Sequence, residues 1–138
     1  MEFALPVRVY IEDTDAGGIV FYVNYLKYME RARTEYMRAQ GVAKAALGDD
    51  GSLLVVRSVD IRYRQSARLD DELQVTAEII SLRPVALIFK QCVYRGAQLL
   101  CEADVEIACV DADSGRPKRL PAVVREQLAA LELAAADR

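Results

Sequence analysis

Two carboxylates, Asp13 and Asp15, stand two residues apart beside the paired glycines Gly17 and Gly18, in the run Glu12-Asp-Thr-Asp-Ala-Gly-Gly-Ile-Val-Phe-Tyr-Val-Asn-Tyr25. The chain contains no histidine, so acid–base chemistry has to rest on carboxylates, Tyr, Lys or Cys. The run leads directly into a helical pattern. A helix start offers backbone N–H groups without intrahelical partners, which suits the binding of an oxyanion. Carboxylate plus oxyanion donor is therefore the chemistry to look for in the first thirty residues. Asp and Gly are also the commonest turn formers, so the loop alone would be read as a turn. The spacing lacks the distal Glu of a calcium loop, and no metal is expected.

The elements that must position this loop are legible from periodicity. Val7 to Ile11 alternates and favours a strand, and Glu12 to Gly18 breaks it. Tyr25, Met29, Ala32 and Tyr36 fall on one stripe, which predicts a helix over about 24–40, with Asn24 as N-cap and Gly41 as the C′ residue. An irregular connection is expected at 43–52. Four strands follow: 53–64, with Val59, Ile61 and Tyr63 on one face; a second built on Leu73, Val75, Ala77 and Ile79; a third on Leu87, Phe89 and Val93; and a fourth on Leu99, Cys101, Ala103, Val105, Ile107 and Cys109. Turn chemistry separates them at 67–71, 82–84 and 95–97. An Ala/Leu-rich helix is expected at 120–136.

A strand, one long helix, four antiparallel strands and a last helix make an α+β domain, with the helix stripe on one sheet face. The opposite face, with its Cys and Ala positions, is expected to be less apolar. Long sheet edges need covering, so a homo-oligomer, a homodimer or homotetramer, is expected.

At 138 residues the chain is read as a single domain, 1–138, large enough to bury roughly two-thirds of its unfolded surface. A hydrophobic content of 53% excludes a mainly disordered chain. Net charge is −3, from 18 basic and 21 acidic residues. There is no polybasic run, so no nucleic-acid partner is expected. Cys92, Cys101 and Cys109 follow no CxxC spacing and are expected to be buried, reduced thiols. Without a leader or a membrane-length apolar run, a cytoplasmic protein is expected.

The signature Asp13-Thr-Asp15-Ala-Gly17-Gly18-Ile-Val20-Phe-Tyr22-Val-Asn24-Tyr25, followed by Glu30-Arg31-Ala32-Arg33-Thr34-Glu35, resembles the 4-hydroxybenzoyl-CoA thioesterase family of hotdog-fold enzymes. Within that family it is most similar to the Tol-Pal-associated acyl-CoA thioesterases. Val55-Val56-Arg57, Ala67-Arg-Leu-Asp-Asp71 and Pro117-Lys-Arg-Leu-Pro121 extend the resemblance over roughly 6–121. It implies a sheet wrapped around one long helix, and hydrolysis of an acyl-CoA thioester.

The resemblance makes Asp15 the catalytic carboxylate, as nucleophile or as general base for water, and gives the oxyanion to the backbone N–H of Tyr22. Some Tol-Pal-type relatives carry histidine at that position, which removes any histidine-assisted step here but not the backbone donor. Asp13 is read as shaping the loop, with a second catalytic role as the alternative. Gly17, Gly18, Val20 and Tyr25 are expected at the substrate. Arg57 and Arg83 are expected at the coenzyme A phosphates, with Lys90 and Arg116 to Arg119 as further candidates. No cofactor is implied beyond the coenzyme A of the substrate, and acyl carrier protein is a possible partner. A hotdog dehydratase, which relies on histidine, is excluded. An acyl-binding or acyl-carrier-binding member of an envelope-associated complex, with weak or no hydrolysis, is the competing reading.

Overall fold

The computed structural model describes residues 3–42 and 50–136. The elements run β1 (Ala4–Arg8), a 3-10 turn (Ile11–Asp13), α1 (Asn24–Ala39), β2 (Ser52–Tyr63), β3 (Glu72–Thr76), β4 (Glu78–Leu82), β5 (Ala86–Arg95), β6 (Gln98–Asp111) and α2 (Ala122–Ala136). All strands join one antiparallel sheet in the order β1-β3-β5-β6-β2, with β4 also paired to β5. The sheet curls around α1, which is the arrangement implied by the hotdog resemblance. The expected irregular connection falls largely on 43–49, outside the described residues, while Ser52 already belongs to β2.

Helix α1 forms where the 3.6-residue period placed it. Tyr25, Met29, Ala32 and Tyr36 are buried, joined by Tyr28 and Met37. Each large apolar side chain sunk this way stabilises the fold by roughly 1.5–3 kcal/mol. The helix ends in a Schellman motif: Gly41, at φ +79°, donates to the Arg38 carbonyl at 3.1 Å, and Val42 to the Met37 carbonyl at 2.9 Å. Asn24 does not cap the helix. It is the first helical residue, and its side chain is drawn away to Asp13.

Two strand boundaries differ from the sequence pattern. β1 lies earlier than 7–11, because the Tyr10 N–H donates to the Asp13 carboxylate and the chain coils into the 3-10 turn there. The strand expected across Leu73 to Ile79 is split at Ala77, although β3 and β4 keep one register on β5 (Val75 opposite Val93, Glu78 opposite Lys90). At the break, side chains replace the backbone ladder. The Cys92 N–H donates to the Thr76 hydroxyl at 2.9 Å, and the Gln91 amide donates to the Thr76 carbonyl at 3.1 Å.

The inward face of β6 is Cys101, Ala103, Val105, Ile107 and Cys109, all in the core, whereas Leu99 gives up its inward place to the fully buried Leu100. The expectation that Cys and Ala mark the opposite face is therefore corrected for these positions. The other face carries charge instead, with Glu102, Asp104 and Glu106 alternating along β6. All three thiols are buried, and burial pushes each one up, Cys101 to about 12. Among the described residues no helix is long and apolar enough to cross a membrane.

Gln91 is fully buried beneath α1. Its Nε2 donates to the Met29 carbonyl at 3.0 Å and to the Thr76 carbonyl, and its Oε1 accepts from Arg33 at 3.0 Å. This amide ties the helix to the sheet at the β3–β4 break. Gln91→Leu keeps the volume but strands these partners, and should lower unfolding free energy by about 3 kcal/mol. An unchanged guanidinium midpoint would show that the tether contributes nothing.

Candidate active site

Asp15 sits at the head of a tight hairpin closed by a Thr14–Val20 bridge. Its N–H donates to the Ile19 carbonyl at 3.0 Å, and its carbonyl accepts from Gly18 at 3.1 Å. The turn places Gly18 at φ +78°, a conformation that favours glycine. Gly17 has a different reason. Its N–H donates to Asp15 Oδ1 at 2.8 Å, and a Cβ there would lie only 3.2 Å from that oxygen. One oxygen of Asp15 is thus held by the backbone. The other has no hydrogen bond to the described residues, on an exposed side chain.

Asp13 has the opposite environment, at 7% exposure. Its Oδ2 accepts from the Tyr10 N–H and its Oδ1 from the Asn24 side-chain amide, both at 2.9 Å. The Tyr28 hydroxyl lies beside it, and burial first, then the Asp13 charge, push that phenol well above its ordinary value. The Asp13 carbonyl also accepts from Phe21 at 2.9 Å. Asp13 therefore fastens the loop to the start of α1, the structural role expected of it. Phe21 and Asn24 have their N–H groups engaged, while Tyr22 N–H donates to no acceptor among the described residues.

These two features meet at a cleft of about 340 Å³ lined by Asp15, Val20, Tyr22, Tyr25, Tyr63 and Ser66, among others. Its walls are aromatic. The Tyr25 and Tyr63 rings meet edge-on at 5.5 Å, Tyr22 and Tyr63 at 6.2 Å. The Tyr63 hydroxyl donates to the Tyr22 carbonyl at 3.3 Å, which braces the peptide following the free N–H. Tyr25 is buried, and its hydroxyl accepts from Ala67 N–H at 2.9 Å. Burial raises its pKa, with the Ala67 bond opposing, and burial raises Tyr63 as well. Both phenols stay neutral at ordinary pH, leaving Asp15 as the one acidic side chain on the cleft wall.

Of the residues expected at the substrate, the single chain brings Val20 and Tyr25 to the cleft with Asp15 and Tyr22, and Gly17 and Gly18 to its rim turn. Arg57 and Arg83 lie apart from it, flanking Glu106 at 3.5 and 3.9 Å. Lys90 lines a separate depression with Asp60, Arg62 and Asp104, and Lys118 is engaged with Asp50. Tyr63 was legible as a strand aromatic on the face of Val59 and Ile61 but not as a site residue. Arg64, Gln65 and Ser66, which complete the wall, carry no sequence signal, because only the strand's exit from the sheet aims them there. Among the described residues no group of three or more His, Cys, Asp or Glu is placed to hold a metal ion.

Residues 9–128 match the sequence profile of the Thioesterase-like superfamily. The chain is 40% identical over 124 residues to the acyl-CoA thioesterase YbgC of Haemophilus influenzae, covering 89% of this chain and 91% of that protein. It is 43% identical over 120 residues to the acyl-CoA thioester hydrolase YbgC of Escherichia coli, covering 86% and 90%. Among solved structures, the "Probable Thioesterase" of Bartonella henselae aligns with a TM-score of 0.82 at 33% identity, over 88% of this chain and 100% of that one. The DHNA-CoA thioesterase of Staphylococcus aureus reaches a TM-score of 0.91 over 97% and 93%, and at 18% identity shares the fold.

The cleft wall at 64–71 is held by two ion pairs, Arg64 with Glu102 at 2.7 Å and Arg95 with Asp71. Arg95 donates to Asp71 at 2.6 Å and to the Ser66 carbonyl at 3.3 Å, and Arg68 N–H donates to Asp71 at 2.9 Å. Burial pushes the Asp71 carboxyl up, but the Arg68 and Arg95 hydrogen bonds and the Arg95 charge outweigh it and hold it below the usual carboxylate range. A depressed carboxyl stabilises the fold fully above its unfolded value, near 4, and that contribution drains away as pH falls through the lower folded value. Arg95→Met should therefore flatten the acid limb of a stability–pH profile below about pH 4. An acid limb identical to that of the parent would count against the clamp.

Proposed function

Because the chain belongs to the thioesterase-like superfamily, we propose that it hydrolyses an acyl-CoA thioester to the free acid and coenzyme A, with Asp15 as the chemical group. One observation carries this reading. An unshared carboxylate oxygen and an unshared backbone N–H, those of Asp15 and Tyr22, belong to the walls of a single cleft.

A thioester carbonyl is already electrophilic, so the site has two tasks. Asp15 removes a proton from water as that water attacks the carbonyl carbon. The Gly17 N–H fixes one carboxylate oxygen, which aims the other. The carbonyl oxygen, negative in the tetrahedral intermediate, accepts from Tyr22 N–H. Collapse then breaks the C–S bond, and the coenzyme A thiolate leaves. Direct attack by Asp15, giving an anhydride that water opens, uses the same two groups.

Strand β2 is one edge of the sheet, and Leu53, Val56, Val59 and Tyr63 along it are exposed. An edge with this much apolar surface is unfavourable in water, which supports a homo-oligomer closed along β2. Antiparallel pairing of two β2 strands would lay the Leu53 end of one copy beside the Tyr63 end of the other. A second copy would then wall the cleft, and basic residues remote from Asp15 within one chain, Arg57 and Arg83 included, would become available to the coenzyme A phosphates.

Asp15→Asn should retain the folded, oligomeric state on size exclusion while thiol release from acyl-CoA drops by about two to four powers of ten. Near-normal turnover in that variant would sink the assignment. A series of aliphatic and aromatic acyl-CoAs, alongside acyl carrier protein thioesters, would identify the acyl group and the carrier.

A further inference from the structure

Tyr25 carries a hydroxyl that the chain uses only as an acceptor. The side chain is 3% exposed. Its oxygen accepts from Ala67 N–H at 2.9 Å, and its own proton reaches no acceptor among the described residues. A buried donor left idle is unfavourable unless something that enters the site accepts from it.

The hydroxyl lies at the cleft wall. Val20 and Ser66 both line the cleft that holds Asp15. Ala67 follows Ser66, gives its N–H to the Tyr25 oxygen, and takes the Val20 N–H on its carbonyl at 2.8 Å. These bonds pin the phenol oxygen between two wall residues. Tyr25 also stands three residues after Tyr22, and side chains on a helix lean towards its N-terminus, over the preceding turn. That lean carries the ring back towards the peptide whose N–H is free. The Tyr63 and Tyr28 rings pack edge-on against it at 5.5 and 6.3 Å and hold it there. All of these contacts lie within one chain.

The titratable and charged neighbours leave the proton on Tyr25. Arg95 and Asp71 are paired with each other, Cys101 is a buried thiol pushed up to about 12, and burial keeps the Tyr28 and Tyr63 phenols neutral. Burial raises Tyr25 above its ordinary value too, with the Ala67 bond opposing.

We propose that Tyr25 is a second oxyanion donor: its O–H donates to the thioester carbonyl oxygen that the Tyr22 N–H also binds. This role rests on the hydrolase reading above. One donor from the backbone and one from a buried side chain then meet the oxygen as it takes up negative charge. The phenol keeps its proton throughout. The water oxygen bonds to the carbonyl carbon, the water proton goes to Asp15, and collapse of the intermediate breaks the C–S bond and expels the thiolate. Tyr25 acts only while neutral, and Asp15 only while ionised.

The test measures kcat and KM of the full chain on whichever acyl-CoA of the series above the parent turns over fastest. Tyr25→Phe should lower kcat by about two to three powers of ten, the usual loss for one oxyanion donor, with KM changed by less than about threefold. That change also strands the Ala67 N–H, so a second variant decides. It places 3,5-difluorotyrosine at position 25 alone, which keeps the oxygen and ionises at lower pH. Its kcat should fall along an alkaline limb absent from the parent, with circular dichroism constant over the same range, because a phenolate still accepts from Ala67 but donates nothing. A kcat profile like that of the parent, a loss of kcat that accompanies unfolding, or a folded Tyr25→Phe with parental kcat would each overturn the role and leave the hydrolase reading standing. A parent that hydrolyses none of the series, or an Asp15→Asn variant that hydrolyses it normally, overturns that reading and the Tyr25 role with it.

Discussion

The geometry of the candidate cleft depends on a buried carboxylate whose two oxygens are both engaged by hydrogen bonds. Asp13 accepts from a backbone N–H on one side and from the first residue of α1 on the other, while its own carbonyl holds Phe21. A buried anion is tolerated only when hydrogen bonds replace its lost hydration, so these partners are obligatory. By meeting that requirement the chain fixes a turn of 3-10 helix, a hairpin and a helix start as one unit. Within that unit the second carboxylate oxygen of Asp15 and the Tyr22 N–H are left without partners among the described residues.

Two aspartates separated by one threonine therefore have opposite fates, and burial decides between them. Asp13 points inward, beside Tyr28 and Asn24, and is satisfied. Asp15 points outward with half its hydrogen-bonding capacity unused. Strand alternation would put residues two apart on one face; the change from the 3-10 turn at Asp13 to the hairpin at Asp15 separates them, and the glycines make room for it. An unpartnered carboxylate oxygen is produced here by withholding partners from one residue while saturating its neighbour.

What the sequence made legible follows the range of the interactions involved. The α1 stripe and the inward faces of β5 and β6 depend on local period and on burial, and Tyr25, Met29, Phe89 and Val105 are where that logic puts them. The Gly41 terminus is equally local. Asn24, the early end of β1 and the break at Ala77 depend on hydrogen bonds between residues distant in sequence, Asp13 with Asn24 and Gln91 with Thr76, which no period reports. Arg57 and Arg83 were placed by charge alone, and charge does not say towards which partner a side chain will turn. Glu106 answered that within the chain. The site motif itself was legible because the turn and the helix start are contiguous, whereas Tyr63 and the 64–66 wall reach it only through the register of β2 on β6.

The absence of histidine fits this economy. A histidine base is useful where a poor electrophile demands a proton acceptor poised near neutrality. A thioester is a better electrophile with a good leaving group, so a positioned carboxylate can serve as its base or nucleophile. The tyrosines around Asp15 are pushed towards their neutral forms by burial, so they add apolar surface and hydrogen bonds without competing for the proton. In the proposed reaction, excluding water with aromatic walls would strengthen the hydrogen bond from the Tyr22 N–H to the oxyanion. For the proposed hydrolysis, a carboxylate held at one oxygen, a free peptide N–H and a neutral aromatic wall are thus a sufficient set: the first two come from the hydrogen bonds around the start of α1, and the wall is completed by the register of β2 on β6.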